Sequence, residues 1–382
     1  MVTWSGSSAR CVVRLAAEAP IRVLWLAKGL GPGGMERLLV HHARVGDRSR
    51  FHYSVGYLVE RPHSVAEELR ALDVTVVKLP GSGGPATARA LRRLVRDQGI
   101  DVVHVHSPLL AAVVRPAMRT MAHRPAVVAT EHNSWDCYSL PTRFANVATY
   151  PLDDARFAVS VDAAESVPRL LRGATEVLVH GIDLDEARAS RGREAAVRAE
   201  LGIAESQPIV LMVANHRGEK AWEVMLRAAV SVRERHPDVV FLGAGHGPLQ
   251  LEHERLHATL GLGSTFRILG FRDDVAALLD AADVFALSSR QEGLPVALME
   301  AMARGLPVVA TAVGGLPDVV GEWAGILVQP EDPAALAGAL CRVLDDTELR
   351  NGLAVGSAEA AECFDVRRAV ARLEAVYSQF AR

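Results

Sequence analysis

The chain is 382 residues long, 49% apolar and 23% charged, with a formal net charge of −3; this is a globular composition with apolar content for two or three domain cores. No apolar run reaches the ~18 residues a membrane helix needs, and the opening MVTWSGSSARCVVRLAAEAP is broken by Arg10, Arg14 and Glu18 before a signal-peptide core forms, so a cytoplasmic protein is expected. The charge, basic up to His180 and acidic beyond it, carries no nucleic-acid signature, and Cys11, Cys137, Cys341 and Cys363 are too far apart for a zinc site or a disulfide framework.

Residues 1–19 lack a sustained period and are read as a loose extension. Ile21 to Leu26 is a strand, the glycine turn Gly29–Gly34 follows, and Met35 to Val40 opens a helix. The turn lacks the G-x-G-x-x-G dinucleotide fingerprint, while Gly33 and Gly34 let the backbone come close to a phosphate or an acceptor. Further strand–helix units run from Tyr53 to Gln98; the last helix, Pro85 to Gln98, carries Arg89, Arg92, Arg93 and Arg96 on one broad face, suited to solvent or to anionic lipid. Two buried-strand patterns then end in polar residues: Asp101 to Ser107, with His104 and His106, and Ala126 to Asn133, with His132. Polar residues at the carboxyl ends of parallel strands face a crevice. Of His104 and His106, one is expected to face it, and His106 is the terminal one.

The strand pattern restarts at Pro208 to Ala214, so a second doubly wound domain follows the first. Its first strand runs into Asn215-His216-Arg217-Gly218-Glu219-Lys220, which sets two cations close together. Strand, turn and helix recur over Val284 to Arg304: Glu292-Gly293-Leu294-Pro295 turns the backbone, Pro295 suits the first helical position, and Gly305 closes the helix. A second turn at Gly314-Gly315 lies alongside. Such turns present backbone N–H groups and a helix dipole to a phosphate or a sugar hydroxyl. Glu300, among Leu298, Met299, Ala301 and Met302, needs hydroxyl donors if it is not solvated, and ribose hydroxyls would satisfy it.

Glu292-x7-Glu300 followed by Ala-Met-Ala-x-Gly-x-Pro-Val-Val-Ala-Thr resembles the donor-site signature of the retaining, nucleotide-sugar-dependent glycosyltransferases of family 4, which have the GT-B fold. The resemblance covers nearly the whole chain. It implies two Rossmann-like domains facing a cleft, an acceptor-binding one over 20–183 and a donor-binding one over 184–362, with 363–382 a helix crossing back to the first. It also implies that Glu292, Gly293, Leu294 and Pro295 hold the donor hexose and Glu300 the ribose, with Gly314 contributing an amide. Arg217 and Lys220 would sit beside the pyrophosphate, Gly270 and Phe271 at the base, and Gly33 and Gly34 near the reacting centre. His132 would touch the donor sugar, with His106 and Asn133 on the acceptor side. Val177 to Asp183 is similar to the family's Pro-Asn-Gly-Ile-Asp, with His180 where asparagine is commoner.

The expected activity is therefore retaining transfer of a hexose from a UDP- or GDP-linked sugar to an acceptor hydroxyl, with no metal and no cofactor beyond the donor. The acceptor would be a sugar, a lipid-linked sugar or a cyclitol, with peripheral contact at the inner face of a membrane as an added expectation. The alternatives are a GT-B epimerase or phosphorylase, and a degenerate nucleotide-binding partner subunit. No pair of carboxylates with general acid and base spacing points to hydrolysis.

Overall fold

The computed structural model describes residues 19–81, 84–189 and 192–380. The extension expected over 1–19 lies, apart from Ala19, outside the described residues. Two parallel sheets organise the chain. The first consists of β1 Ile21–Gly29, β2 Phe51–Val59, β3 Thr75–Lys78, β4 Val102–Val105, β5 Ala126–Glu131, β6 Ala155–Ala158 and β7 Thr175–Val177, in the order β3-β2-β1-β4-β5-β6-β7. The second consists of β8 Ile209–Val213, β9 Val240–Ala244, β10 Phe266–Gly270, β11 Val284–Leu287, β12 Val308–Thr311 and β13 Gly325–Val328, in the order β10-β9-β8-β11-β12-β13. Helices cover both faces, which is why strands such as β4 and β11 are buried along their whole length.

In each sheet the chain first winds outward on one side and then crosses to the other, giving a reversal between β1 and β4 and another between β8 and β11. Ligand crevices form outside the carboxyl ends of the strands at such points. This is the doubly wound α/β architecture expected from the sequence. The second lobe has one core, built around Trp222, Phe241, Phe285 and Leu298. Among the described residues the first has two large ones, one on either face of its sheet, and two small satellites around Trp135 and Ala163.

Some boundaries differ from the expectation. The helix after the Glu292 turn spans Val296–Ala303, and Pro295 is its extended N-cap at φ −68°, ψ 130°, not its first helical residue. The last strand of the first sheet ends at Val177, where the chain leaves the sheet to enter the second lobe. It crosses back near residue 365, where Ile182 pairs with Asp365 in an isolated parallel bridge. The Ile182 N–H donates to Phe364 O at 2.8 Å and the Val366 N–H to Ile182 O at 3.0 Å. The final helix, Val366–Gln379, then buries Leu373, Val376 and Tyr377 among Val23, Trp25 and Val55 of the first lobe.

Candidate active site

Two adjoining cavities, of about 740 and 650 Å³, open between the lobes. Both are lined by Gly33, Gly34, Asn215, Lys220 and Pro295, so Lys220 stands where they meet.

Lys220 is placed by a short 3-10 turn, Gly218–Lys220. The next residue, Ala221, takes the left-handed conformation at φ 45° and is fully buried. Packing holds it there: the Trp222 indole stacks on His216 with ring centroids 3.8 Å apart and a tilt of 19°, and His216 Nδ1 lies 2.9 Å from His253 Nδ1. Ser288 Oγ donates to the carbonyls of Lys220 and Ala221, at 3.1 and 2.9 Å. The loop is thereby fastened to the end of β11, and it aims the Lys220 ammonium at the next turn. Nζ meets both carboxylate oxygens of Glu292 at 2.6 Å, and Ser289 Oγ donates to Glu292 Oε1 at 2.6 Å.

The glycines around Glu292 have steric reasons. A Cβ on Gly293 would overlap the carbonyl oxygen of His132 in the other lobe, and one on Gly314, at φ 57°, would overlap that of Glu292. The Gly315 N–H also donates to Gly293 O at 2.9 Å. The two turns of the second lobe thus press on each other and on the end of β5.

Glu300 lines the larger cavity with Phe271 and Arg272 and does not pair with Glu292. Burial pushes its carboxyl up, partly offset by Arg304 and Arg37. Phe271 lies under His63, which reaches across from the first lobe with ring centroids 3.7 Å apart and a tilt of 17°. Arg217 lines the smaller cavity, half exposed, with Glu219 3.9 Å away. His132, Asn133, Glu292, Gly293 and Leu294 line the same cavity.

Three expected residues lie off the cavity walls. His106 lines neither cavity; its Nδ1 lies 3.0 Å from Nε2 of His132, so it supports that ring from behind. Gly270 and Gly314 line neither cavity and act through backbone shape, both at positive φ. His104 packs within the lobe, against Tyr377 OH at 2.6 Å and Thr130 Oγ1 at 2.8 Å. His132 also stacks on His180, 5.4 Å away. Burial holds His132 well below the usual imidazole range and His180 at about 4, so both rings are neutral.

Sequence reading missed Glu36 and Arg61 and noted His180 only as a departure from the family motif; all three are on the smaller cavity. The available signal for Glu36 was its place three residues after Gly33, in the first turn of the Gly34–Val45 helix. Burial pushes its carboxyl up to about 7, against the lowering effect of its own backbone N–H, Arg217 and Arg61. Arg89, Arg92, Arg93 and Arg96 are exposed and line neither cavity. Among the described residues no three His, Cys, Asp or Glu side chains are grouped to hold a metal ion, and no helix is long and apolar enough to cross a membrane.

Two doubly wound lobes facing one crevice define the GT-B class. The same architecture occurs in HepE of Anabaena, solved with UDP and glucose, at a TM-score of 0.82 and 22% identity over 94% of this chain and 99% of that one. It occurs also in sucrose-phosphate synthase of Thermosynechococcus elongatus, at a TM-score of 0.78 and 20% identity over 94% and 99%. The family model Glycosyltransferase Family 4 matches residues 32–186, and Glycosyl transferases group 1 matches 194–357. A D-inositol 3-phosphate glycosyltransferase of Corynebacterium efficiens is 32% identical over 322 residues, 77% of this chain and 75% of that protein. A 2-deoxystreptamine glucosyltransferase of Streptomyces kanamyceticus is 30% identical over 284 residues, 72% of this chain and 66% of that protein. With a D-inositol 3-phosphate glycosyltransferase of Salinispora arenicola, 38% identical, the match spans about half of each, 53% and 49%. The chain belongs to the group 1, family 4 glycosyltransferases.

Proposed function

We propose that the protein transfers a hexose from a nucleoside diphosphate sugar to a hydroxyl of a small polyol acceptor, with retention at the anomeric carbon and without a metal. The observation that carries this reading is the contact of Lys220 with Glu292 where the two cavities meet, with Glu300 on the larger and Arg217 on the smaller. A nucleotide in the larger cavity would offer its ribose hydroxyls to Glu300, its base to the Phe271 end, and its diphosphate to Lys220. The hexose would then lie against Glu292, Gly293 and His132.

The chemistry is a problem of charge. As the glycosidic C–O bond lengthens, negative charge gathers on the departing diphosphate and positive charge on the sugar ring. Arg217 and Lys220 meet the first, together with the N–H groups of the Glu292 and Gly314 turns; the Glu292 carboxylate lies near the second. His132 is neutral and suits a positioning role, donating or accepting a hydrogen bond without carrying charge. In a same-face reaction the acceptor proton passes to the departing phosphate oxygen, so no protein base is needed. The names of the relatives, a D-inositol 3-phosphate glycosyltransferase and a 2-deoxystreptamine glucosyltransferase, support a cyclitol or related ring as acceptor.

The test is a panel of UDP- and GDP-hexoses with cyclitol and sugar acceptors, products being read by NMR. Transfer with the donor's anomeric configuration kept is the expected result. Inverted products would refute retention, and failure to bind any nucleoside diphosphate would refute the transferase reading.

A further inference from the structure

Part of the lining of the smaller cavity has no place in the donor chemistry above. Glu36, the third residue of the Gly34–Val45 helix, lines that cavity, as do Arg61, Asn133 and His180. The carboxylate folds back over Gly33 so closely that a Cβ on residue 33 would overlap Glu36 Oε2. Gly33 therefore leaves room for the acid where it now lies. Arg61 from the first lobe and Arg217 from the second both act on Glu36.

Counting charge in this cavity distinguishes between acceptors. On the reading above, Lys220 and Arg217 serve the donor diphosphate. With Glu292 against the donor sugar, what remains is Glu36 and Glu219 against Arg61, because the buried rings of His132 and His180 are neutral. An acceptor phosphate would meet carboxylates, a diphosphate and one guanidinium. A hydroxyl or ammonium group would instead supply donors to a carboxylate that is partly desolvated, where a charge-assisted hydrogen bond is strong.

We propose that Glu36 is an acceptor-binding residue that selects an unphosphorylated polyol ring, accepting hydrogen bonds from hydroxyl or ammonium groups beside the attacking oxygen. This rests on the glycosyl-transfer reading. It gives the pocket a preference opposite to that of a site built for a phosphorylated cyclitol. Glu36 takes no part in bond breaking; its work is to fix the ring so that one hydroxyl points at the anomeric carbon.

The experiment compares the wild type with E36Q and E36A. Initial rates are taken at saturating donor with myo-inositol, 2-deoxystreptamine and myo-inositol 1-phosphate, and UDP and GDP affinities are measured by calorimetry. The wild type should prefer the two unphosphorylated rings. E36Q should raise their KM by about tenfold or more, with a smaller effect on kcat and no change in nucleotide affinity, the scale of one lost hydrogen bond to a charged group. A wild-type preference for the phosphate ester overturns the proposal, as does transfer to none of the three while nucleotide still binds. An unchanged KM in E36Q overturns it too, reducing Glu36 to a helix-capping residue. If E36A melts early, E36Q, which keeps the shape of the side chain, carries the test. Absence of nucleotide binding in the wild type is a separate failure, that of the transferase reading beneath.

Discussion

The ammonium of Lys220 touches both carboxylate oxygens of Glu292, each at 2.6 Å, although the residues lie on different loops of the second lobe. Glu292 is almost fully buried, its side chain 6% exposed, and Lys220 is 21% exposed. A donor diphosphate arriving at Lys220 must share the ammonium with Glu292, which leaves carboxylate capacity for the sugar hydroxyls. Lys220→Ala removes the cation and strands a buried acid. We expect kcat to fall about 10²- to 10³-fold, the scale for a lost electrostatic donor. Steady-state rates of Lys220→Ala, Glu292→Gln and the double variant test this, and losses that simply add would show the two groups acting independently.

Glu300 should matter for holding the nucleotide more than for the chemical step. Glu300→Gln keeps the shape and removes the charge, so UDP or GDP affinity should weaken by about 1.5 to 3 kcal/mol, the value of a hydrogen bond to a charged group. Calorimetry on the purified variant measures it. Full affinity with a collapsed kcat would contradict the ribose assignment.

Gly293 is the point where the second lobe presses on the first. In Gly293→Ala the new methyl overlaps the carbonyl oxygen of His132, so the lobes cannot meet as they do here. Each lobe keeps its own core, so the melting temperature should change little while transfer falls by about 10²-fold, as misplacement by about 1 Å can cause. Matched melting curves and rates check this. Wild-type rates would mean that the contact does not form during turnover.

His180 offers a test of burial through pH. Desolvation holds its folded pKa at about 4, against the ordinary imidazole value of 6.5. Unfolded chains therefore take up a proton at this site below pH ~6.5 that the folded protein refuses, so its effect is a loss of stability as pH falls from ~6.5 toward 4. His180→Asn removes that titration. Between pH 6 and 4.5, wild-type unfolding free energy should drop more steeply than that of the variant by about 1.4 kcal/mol per pH unit. Urea titrations across this range measure both slopes, and parallel slopes would show that His180 is solvated.

Much of the site was legible because its residues lie in strand–turn–helix units whose local pattern is distinctive. Glu292, Glu300 and Lys220 could be placed from the apolar strands before them and the helices after them. His106 shows where that reasoning ends. Alternation along a strand says which residues share a face, but β4 stops at Val105, and the next residue meets His132. Glu36 was hidden for another reason: an acid in the first turn of a helix is ordinary, and only the fold of the carboxylate over Gly33 and the approach of Arg217 from the other lobe set it apart. Pro295 was misread by one position because a proline fits both the N-cap and the first helical residue.

The paired crossings at Ile182 and Asp365 govern how the molecule can move. The two strands run side by side and are stitched by hydrogen bonds in both directions, and Gly181 lies so close to Phe364 O that a side chain would not fit between them. A single tether would let one half swivel freely, whereas two joined pins leave essentially one angle to vary. Such a joint opposes sliding of one lobe over the other and favours opening and closing about the crossing.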